Sequence, residues 1–400
     1  MHAHQAALPT GALRVRTARS ALPPEILFTF AARRNPRRTF LFLSKVLGKH
    51  LPTAPDIMAD THMRLAALVP EDLPQPALFI GMAETATALG QGIFEAWLKR
   101  HPGAQAFFLH STRYHISGAQ AYDFAEAHSH APRQWLMLPR EAVFQARLAC
   151  VRSLVLVDDE ISTGRTLLNL AQLCCRLAPA LAHVHLTCLT DFSGRAGRAV
   201  WRAGCPVPAS CAALLHGRWH FMPHTTESVQ AVQPEMPAAQ SAAPVVLADP
   251  GLGRCGIEGA LPLDEDCVGR WVQRLGQLPH GAPVLVLGTG EFMFPAFKLA
   301  QALQQRTAAR ILVGATTRSP IEVWGAITEK FSFADNYGEG IPNFLYNFRA
   351  ADWACTIICH ETPENSGLRA LAQHTRGALL HFDGQGVREN LEFCPQQRAR

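Results

Sequence analysis

One stretch constrains this chain more than any other: Leu154-Val155-Leu156-Val157-Asp158-Asp159-Glu160-Ile161-Ser162-Thr163-Gly164-Arg165-Thr166. The apolar run Leu154–Val157 predicts a buried parallel strand. A pair of carboxylates follows, then a Ser/Thr/Gly turn, then a helical run from Thr166 to about Leu177. In open α/β sheets, ligands bind beyond the carboxyl ends of the strands. Ser162, Thr163 and Thr166 offer hydroxyls, and Gly164 lets backbone N–H groups converge. The helix N-terminus adds partial positive charge, so a phosphate monoester fits there. Asp158 and Asp159 stand one loop-width away, placed to accept hydrogen bonds from sugar hydroxyls or to hold a hydrated Mg²⁺. The stretch reads as a site for a phosphorylated sugar. A Walker loop is excluded, because its Gly-Lys-Ser/Thr element is missing.

Composition sets the frame. Four hundred residues, 48% of them apolar and 17% charged, suggest a globular chain of two domains. The net charge of +5 suits an anionic small ligand as well as nucleic acid. The eleven cysteines form no CxxC pair and read as reduced cytosolic thiols, so the expected location is cytoplasmic. No apolar run is long enough to span a membrane. Residues 1–23 are expected to be a disordered tail, since Met1–Ala21 lacks a signal-peptide core. Residues 225–245, rich in Ala, Gln, Pro and Val, are the best linker candidate. The GxGxxG of Gly251–Gly256 opens no predicted helix and is discounted as a dinucleotide fingerprint.

The remaining elements are read in chain order. Phe40, Leu43 and Leu47 suggest a helix with Lys45 and Lys49 on or beyond it. Ala77–Ile80 is a strand, followed by the small-residue loop Ala83-Glu84-Thr85, where backbone approaches an anion. Ala106–His110 is a second strand, ending near Arg113, a residue suited to bidentate anion contacts. A polar loop with His128 and His130 precedes a third strand, Gln134–Leu138. His183 and His185 share one face of a strand over Ala182–Thr190 and read as sheet residues, not ligands.

The central stretch resembles the phosphoribosyl-diphosphate (PRPP) motif of type I phosphoribosyltransferases, with every defining position filled. The resemblance implies a parallel sheet flanked by helices under an N-terminal hood, here spanning 24–224. It implies that Ser162, Thr163, Gly164, Arg165 and Thr166 anchor the 5′-phosphate, and that Asp158 and Asp159 hold the ribose with Mg²⁺. It implies that Ala83, Glu84, Thr85 and Arg113 hold diphosphate, and that the His128/His130 loop is a lid whose histidines assist the leaving group. A zinc site at those histidines is the weaker alternative.

The C-terminal part reads as a second α/β domain, a degenerate repeat of the first. Val284–Glu291 parallels Leu78–Glu84, and Ile311–Arg318 parallels Phe107–Arg113, with nearly equal Gly-to-Arg spacings. The strand Thr356–Cys359 leads into His360–Gly367, which falls where the PRPP loop belongs, but its acids and hydroxyls are mostly gone. Thr317-Arg318-Ser319-Pro320, with Gly288–Glu291 and Tyr337–Gly340, resembles the TRSP domain. That domain follows a phosphoribosyltransferase domain in proteins associated with tellurite-resistance and stress gene clusters. It is assigned to 246–394, with Arg318, Ser319 and Glu291 as its candidate binding residues.

The family resemblance implies a PRPP-dependent transferase acting on a base-like nitrogen nucleophile, in making a nucleotide-like metabolite. A PRPP-sensing regulator is the alternative. Nucleic acid is disfavoured as a partner because residues 245–400 hold no basic stripe with interleaved aromatics. Homodimerisation is left open.

Overall fold

The computed structural model describes residues 2–33, 38–124, 134–224, 246–248 and 251–394. The expected linker at 225–245 and the histidines His128 and His130 lie outside them.

Among the described residues, the first unit is built on a seven-stranded sheet. Its order is His2–Leu8, Gly11–Ser20, Ala209–Pro223, His183–Asp191, Ser153–Ile161, Ala77–Gly81, Ala106–His110. The last five are mutually parallel; Gly11–Ser20 runs antiparallel to them, and His2–Leu8 antiparallel to Gly11–Ser20. Leu154–Val157 is fully buried, as expected of a strand covered on both faces. The strand runs on through the acids, pairing Asp158 with Cys188 and Glu160 with Thr190. Helices Thr87–Arg100 and Arg165–Leu177 follow their strands closely, as the sequence predicts.

Two expectations are corrected. The N-terminus is not a disordered tail: residues 2–20 are a hairpin that extends the sheet. Leu13, Val15 and Thr17 face the core while Arg14 and Arg16 face out, a period-two pattern. The segment around Phe40 is not a helix but a hairpin of Phe28–Ala32 and Phe40–Ser44. Its alternating phenylalanines gather with the sheet's aromatics: Phe42 stacks on Phe192 at 4.6 Å, and Phe40 meets Trp219 at 4.9 Å. That aromatic burial decides for strand over helix. The strand expected at Gln134–Leu138 is present as Trp135–Leu138 and lies outside the main sheet. It pairs antiparallel with Gln120–Asp123 as a separate hairpin.

The second unit has a five-stranded sheet in the order Arg310–Ala315, Pro283–Gly288, Cys355–His360, Ala378–Phe382, Val387–Asn390. Read from the opposite edge, this order matches the first unit strand for strand, apart from the antiparallel last member. The loop hydrogen bonds match too. Met82 N donates to Val157 O and Thr289 N to Cys359 O. Ser111 N donates to Gly81 O and Thr316 N to Gly288 O. Ala83 N donates to Ser111 Oγ and Gly290 N to Thr316 Oγ. Thr112 bridges Trp135 of one hairpin, and Thr317 bridges Phe344 of the hairpin Lys330–Phe333/Asn343–Tyr346. This correspondence aligns Asp158 with His360 and Asp159 with Glu361.

The units pack through equivalent helices. Lys298 on Phe294–Arg306 pairs with Glu95 on Thr87–Arg100 at 2.8 Å. Thr87 through Trp97 is consequently buried all round, between its own sheet and the other unit. The hood is clamped from the same side: Thr53 and Val313 exchange backbone hydrogen bonds, and Glu322 N donates to Ala32 O.

Candidate active site

A cavity of about 600 Å³ opens at the carboxyl ends of the first unit's strands. Asp158, Asp159 and Ser162 form one wall, Ala83, Glu84, Thr85 and Arg113 a second. The hood hairpin supplies Arg33, Arg38, Leu41, Phe42 and Ser44, and the second unit supplies Thr317, Arg318 and Ser319.

Gly164 begins the phosphate-type turn with φ at +74°, a left-handed geometry that suits glycine, and helix Arg165–Leu177 starts directly after it. No side chain caps this helix, and Ser162 and Thr163 are exposed. Arg165 N, the first of the helix, donates to Thr163 Oγ1 at 3.4 Å, and Ser162 is the turn residue that lines the cavity. Asp159 N donates to Asp158 Oδ1 at 2.9 Å. Burial raises both carboxyls above the ordinary range, Asp158 strongly, and Asp158 is raised further by Asp159 beside it.

Glu84 behaves oppositely. Burial works against its ionisation, yet Lys49 at 2.6 Å, with Arg113 and a hydrogen bond from Thr317, holds its carboxyl down at about 2. Lys49 is itself buried and donates to Gly290 O and Thr316 O of the second unit. It is a strut between units, whereas Lys45 points away, donating to Glu25 O. Neither lysine lines the cavity.

Glu291, the residue corresponding to Glu84, lies outside this cavity. It accepts from Thr112 Oγ at 2.6 Å and from Arg113 N at 2.8 Å. The exchange is reciprocal: each unit's strand-end glutamate receives the threonine hydroxyl of the other. Arg318 pairs with Glu339 at 2.8 Å, and its guanidinium sits 5.8 Å from the Tyr114 ring centroid.

Comparison with known proteins agrees with this arrangement. Residues 27–218 match the family described as phosphoribosyl transferase, and residues 252–374 match the TRSP domain C-terminal to it. The chain belongs to the TRSP-bearing phosphoribosyltransferase family. No curated protein matches the sequence. Among solved structures, adenine phosphoribosyltransferase from Trypanosoma brucei is 15% identical, with a TM-score of 0.33, over 47% of this chain and 76% of its own. The Giardia lamblia adenine enzyme is 16% identical, TM-score 0.32, over 48% and 97%. A hypoxanthine phosphoribosyltransferase from Staphylococcus aureus is 14% identical, TM-score 0.25, over 38% and 71%.

In this phosphoribosyltransferase the second unit's equivalent site is filled. Arg254 makes a double ion pair with Glu361, the counterpart of Asp159, with Nη2 to Oε1 at 2.6 Å. Its other neighbour is Glu291 at 3.4 Å, and Tyr337 OH donates to Glu361 at 2.9 Å. Only about 20 Å³ remains there. Arg254 lies within the discounted GxGxxG stretch, which indeed opens no helix.

The cavity brings together every described first-unit candidate named above except Thr163, Gly164, Arg165 and Thr166, which continue the turn from Ser162. Sequence reasoning missed Arg33, Arg38, Glu160, Ser44 and His50. Their only local signal was the basic run Arg33–Arg38 on the hood.

All the cysteines are free thiols, and no cluster of three or more potential metal ligands occurs among the described residues. No described helix is long and apolar enough to cross a membrane.

Proposed function

We propose that the chain transfers the phosphoribosyl group of PRPP to a nitrogen nucleophile and releases diphosphate. The carrying observation is the single cavity that gathers a paired acid, a phosphate-type turn and a diphosphate-type loop. In this reading the 5′-phosphate sits in Ser162–Thr166, on backbone N–H groups at the start of a helix. Asp158 and Asp159 face the ribose diol. Ala83–Thr85 and Arg113 take the diphosphate, and Arg318 reaches it from the second unit. His128 and His130 keep their proposed role of assisting the departing diphosphate.

The donor set fits Mg²⁺. Two carboxyls that burial drives up in pKa gain most from a divalent cation. Mg²⁺ is commonly held by one or two carboxylates plus substrate phosphates, not by an all-protein cage. Asp158 and Asp159 would hold it, and when bound it neutralises charge on the leaving diphosphate.

The chain's own groups then have defined tasks. The turn fixes the sugar's far end, so C1 is presented to the acceptor in one orientation. Asp158 and Asp159 stabilise the positive charge that develops on the sugar ring as the C1–O bond breaks. The hood and the second unit close over the cavity and exclude water, which favours transfer over hydrolysis. The product is a nucleotide-like metabolite.

The test is incubation with PRPP, Mg²⁺ and a panel of bases and amines, read as diphosphate release. Acceptor-dependent release supports the reading. PRPP left intact with every member, under conditions where a known phosphoribosyltransferase works, contradicts it.

A further inference from the structure

We propose that the acceptor is a planar nitrogen compound bearing a carboxylate, and that Arg33 recognises that carboxylate. The proposal rests on the phosphoribosyl-transfer reading and specifies the acceptor end of the same cavity.

The hood hairpin brings Arg33, Leu41 and Phe42 onto the cavity wall. Phe42 is fixed by its stack on Phe192, so it offers a rigid apolar surface to a flat ring. Arg33 is fixed as well. Its backbone bridges Ile321 of the second unit, and its Nε donates to Arg38 O at 2.8 Å. That bond leaves the two terminal nitrogens, which can grip a carboxylate end-on, for a ligand.

The charge balance around Arg33 is uneven. Arg38 is matched by Glu160 through both guanidinium nitrogens, at 2.9 and 3.0 Å. Arg33 has no carboxylate partner among the described residues. The adjoining residues 34–37, Arg-Asn-Pro-Arg, contain no acid to supply one. His50 on the same wall does not alter the balance: burial, then Lys49, hold it neutral, with its pKa down at about 3. Burial, then Arg38, lower the Arg33 guanidinium to about 10, against the opposing field of Glu160, which Arg33 shares with Arg38. Two guanidiniums thus share one carboxylate, and the ion pair itself belongs to Arg38.

The Arg33 guanidinium, which makes no ion pair of its own among the described residues, suits a planar carboxylate. The guanidinium fork also matches carboxylate geometry, which a lysine would not. A neutral ring would leave Arg33 desolvated and unpaired when the cavity fills, which disfavours it.

The experiment compares matched acceptors with PRPP and Mg²⁺: orotate against uracil, nicotinate against nicotinamide, 4-aminobenzoate against aniline. Diphosphate release should favour the carboxylated member of at least one pair, by about 10- to 100-fold in kcat/KM. Arg33→Met should remove that preference and raise the acceptor KM while the KM for PRPP stays put. Arg33→Lys should restore part of it. Thermal unfolding of each variant checks that it is folded.

Preference for the neutral members, or an Arg33→Met enzyme with the preference intact, overturns the assignment but leaves phosphoribosyl transfer standing. PRPP binding without release from any pair overturns it in the same way. Absence of PRPP binding removes both.

Discussion

Glu84 and Asp158 line the same cavity, and burial opposes ionisation of both, yet they end on opposite sides of the ordinary carboxylate range. The difference is the neighbour: a lysine ammonium for Glu84, a second carboxylate for Asp158. Glu84 is lowered from 4.5 to about 2, so its contribution to stability is complete above about pH 4.5 and drains away as pH falls toward 2. Glu84→Gln should therefore be less stable than wild type by about 3 kcal/mol at neutral pH, with Lys49 left buried and unpaired. The gap should narrow on acidification, as urea unfolding at several pH values would show. A gap that does not change with pH would mean that Lys49 is not what keeps Glu84 ionised. Asp158 carries the opposite sign. Its raised pKa makes the bare carboxylate pair unfavourable at neutral pH, and PRPP with Mg²⁺ relieves that. The acid limb of kcat/KM for PRPP should accordingly fall at a pH above the usual carboxylate range. Asp159→Asn should lower kcat by about 100-fold or more while PRPP affinity changes only a few-fold, since its role is charge stabilisation at C1. A variant with normal turnover would remove Asp159 from that role.

At the scale of elements, what was legible depended on whether a signal was local. The Leu154–Val157 strand and its turn announced themselves, because apolar run, acids and hydroxyls adjoin in sequence. The N-terminal hairpin did not. Its core-facing residues are only Leu13, Val15 and Thr17 along the inner strand, diluted by alanine and arginine, and they matter only once Ala209–Pro223 lies alongside. The hood misled because Phe40, Leu43 and Leu47 satisfy a helical spacing while Phe28, Phe30, Phe40 and Phe42 satisfy period two. Tertiary aromatic packing chose between them. The hairpin's contribution is measurable. Deleting residues 1–20 should lower Tm by about 5 °C or more, since it strips a buried edge from the sheet. Unchanged Tm would fit a loose tail. Gly11→Ala should destabilise by about 2 kcal/mol, because Gly11 has φ at +153° and a Cβ there would lie 2.3 Å from Met222 O.

For the whole molecule, the second unit completes the first. It carries the same strand order, holds Glu291 beneath Arg113, and lends Arg318 and Ser319 to the cavity wall. Its own equivalent site holds Arg254 on Glu361. The repeat was visible in sequence as strand-end loops at matching spacing. The reciprocal glutamate exchange, the Lys49 strut and the Arg254 fill were not, because each joins residues far apart in the chain. One ligand per chain follows from this arrangement. The most direct measurement is calorimetric titration of the chain with PRPP in the presence of Mg²⁺. Saturable binding at one PRPP per chain is expected, weakened by about tenfold or more when Ser162 and Thr163 are both replaced by alanine, since their hydroxyls add to the backbone donors. No heat with PRPP, or an affinity unchanged by that double replacement, would contradict it.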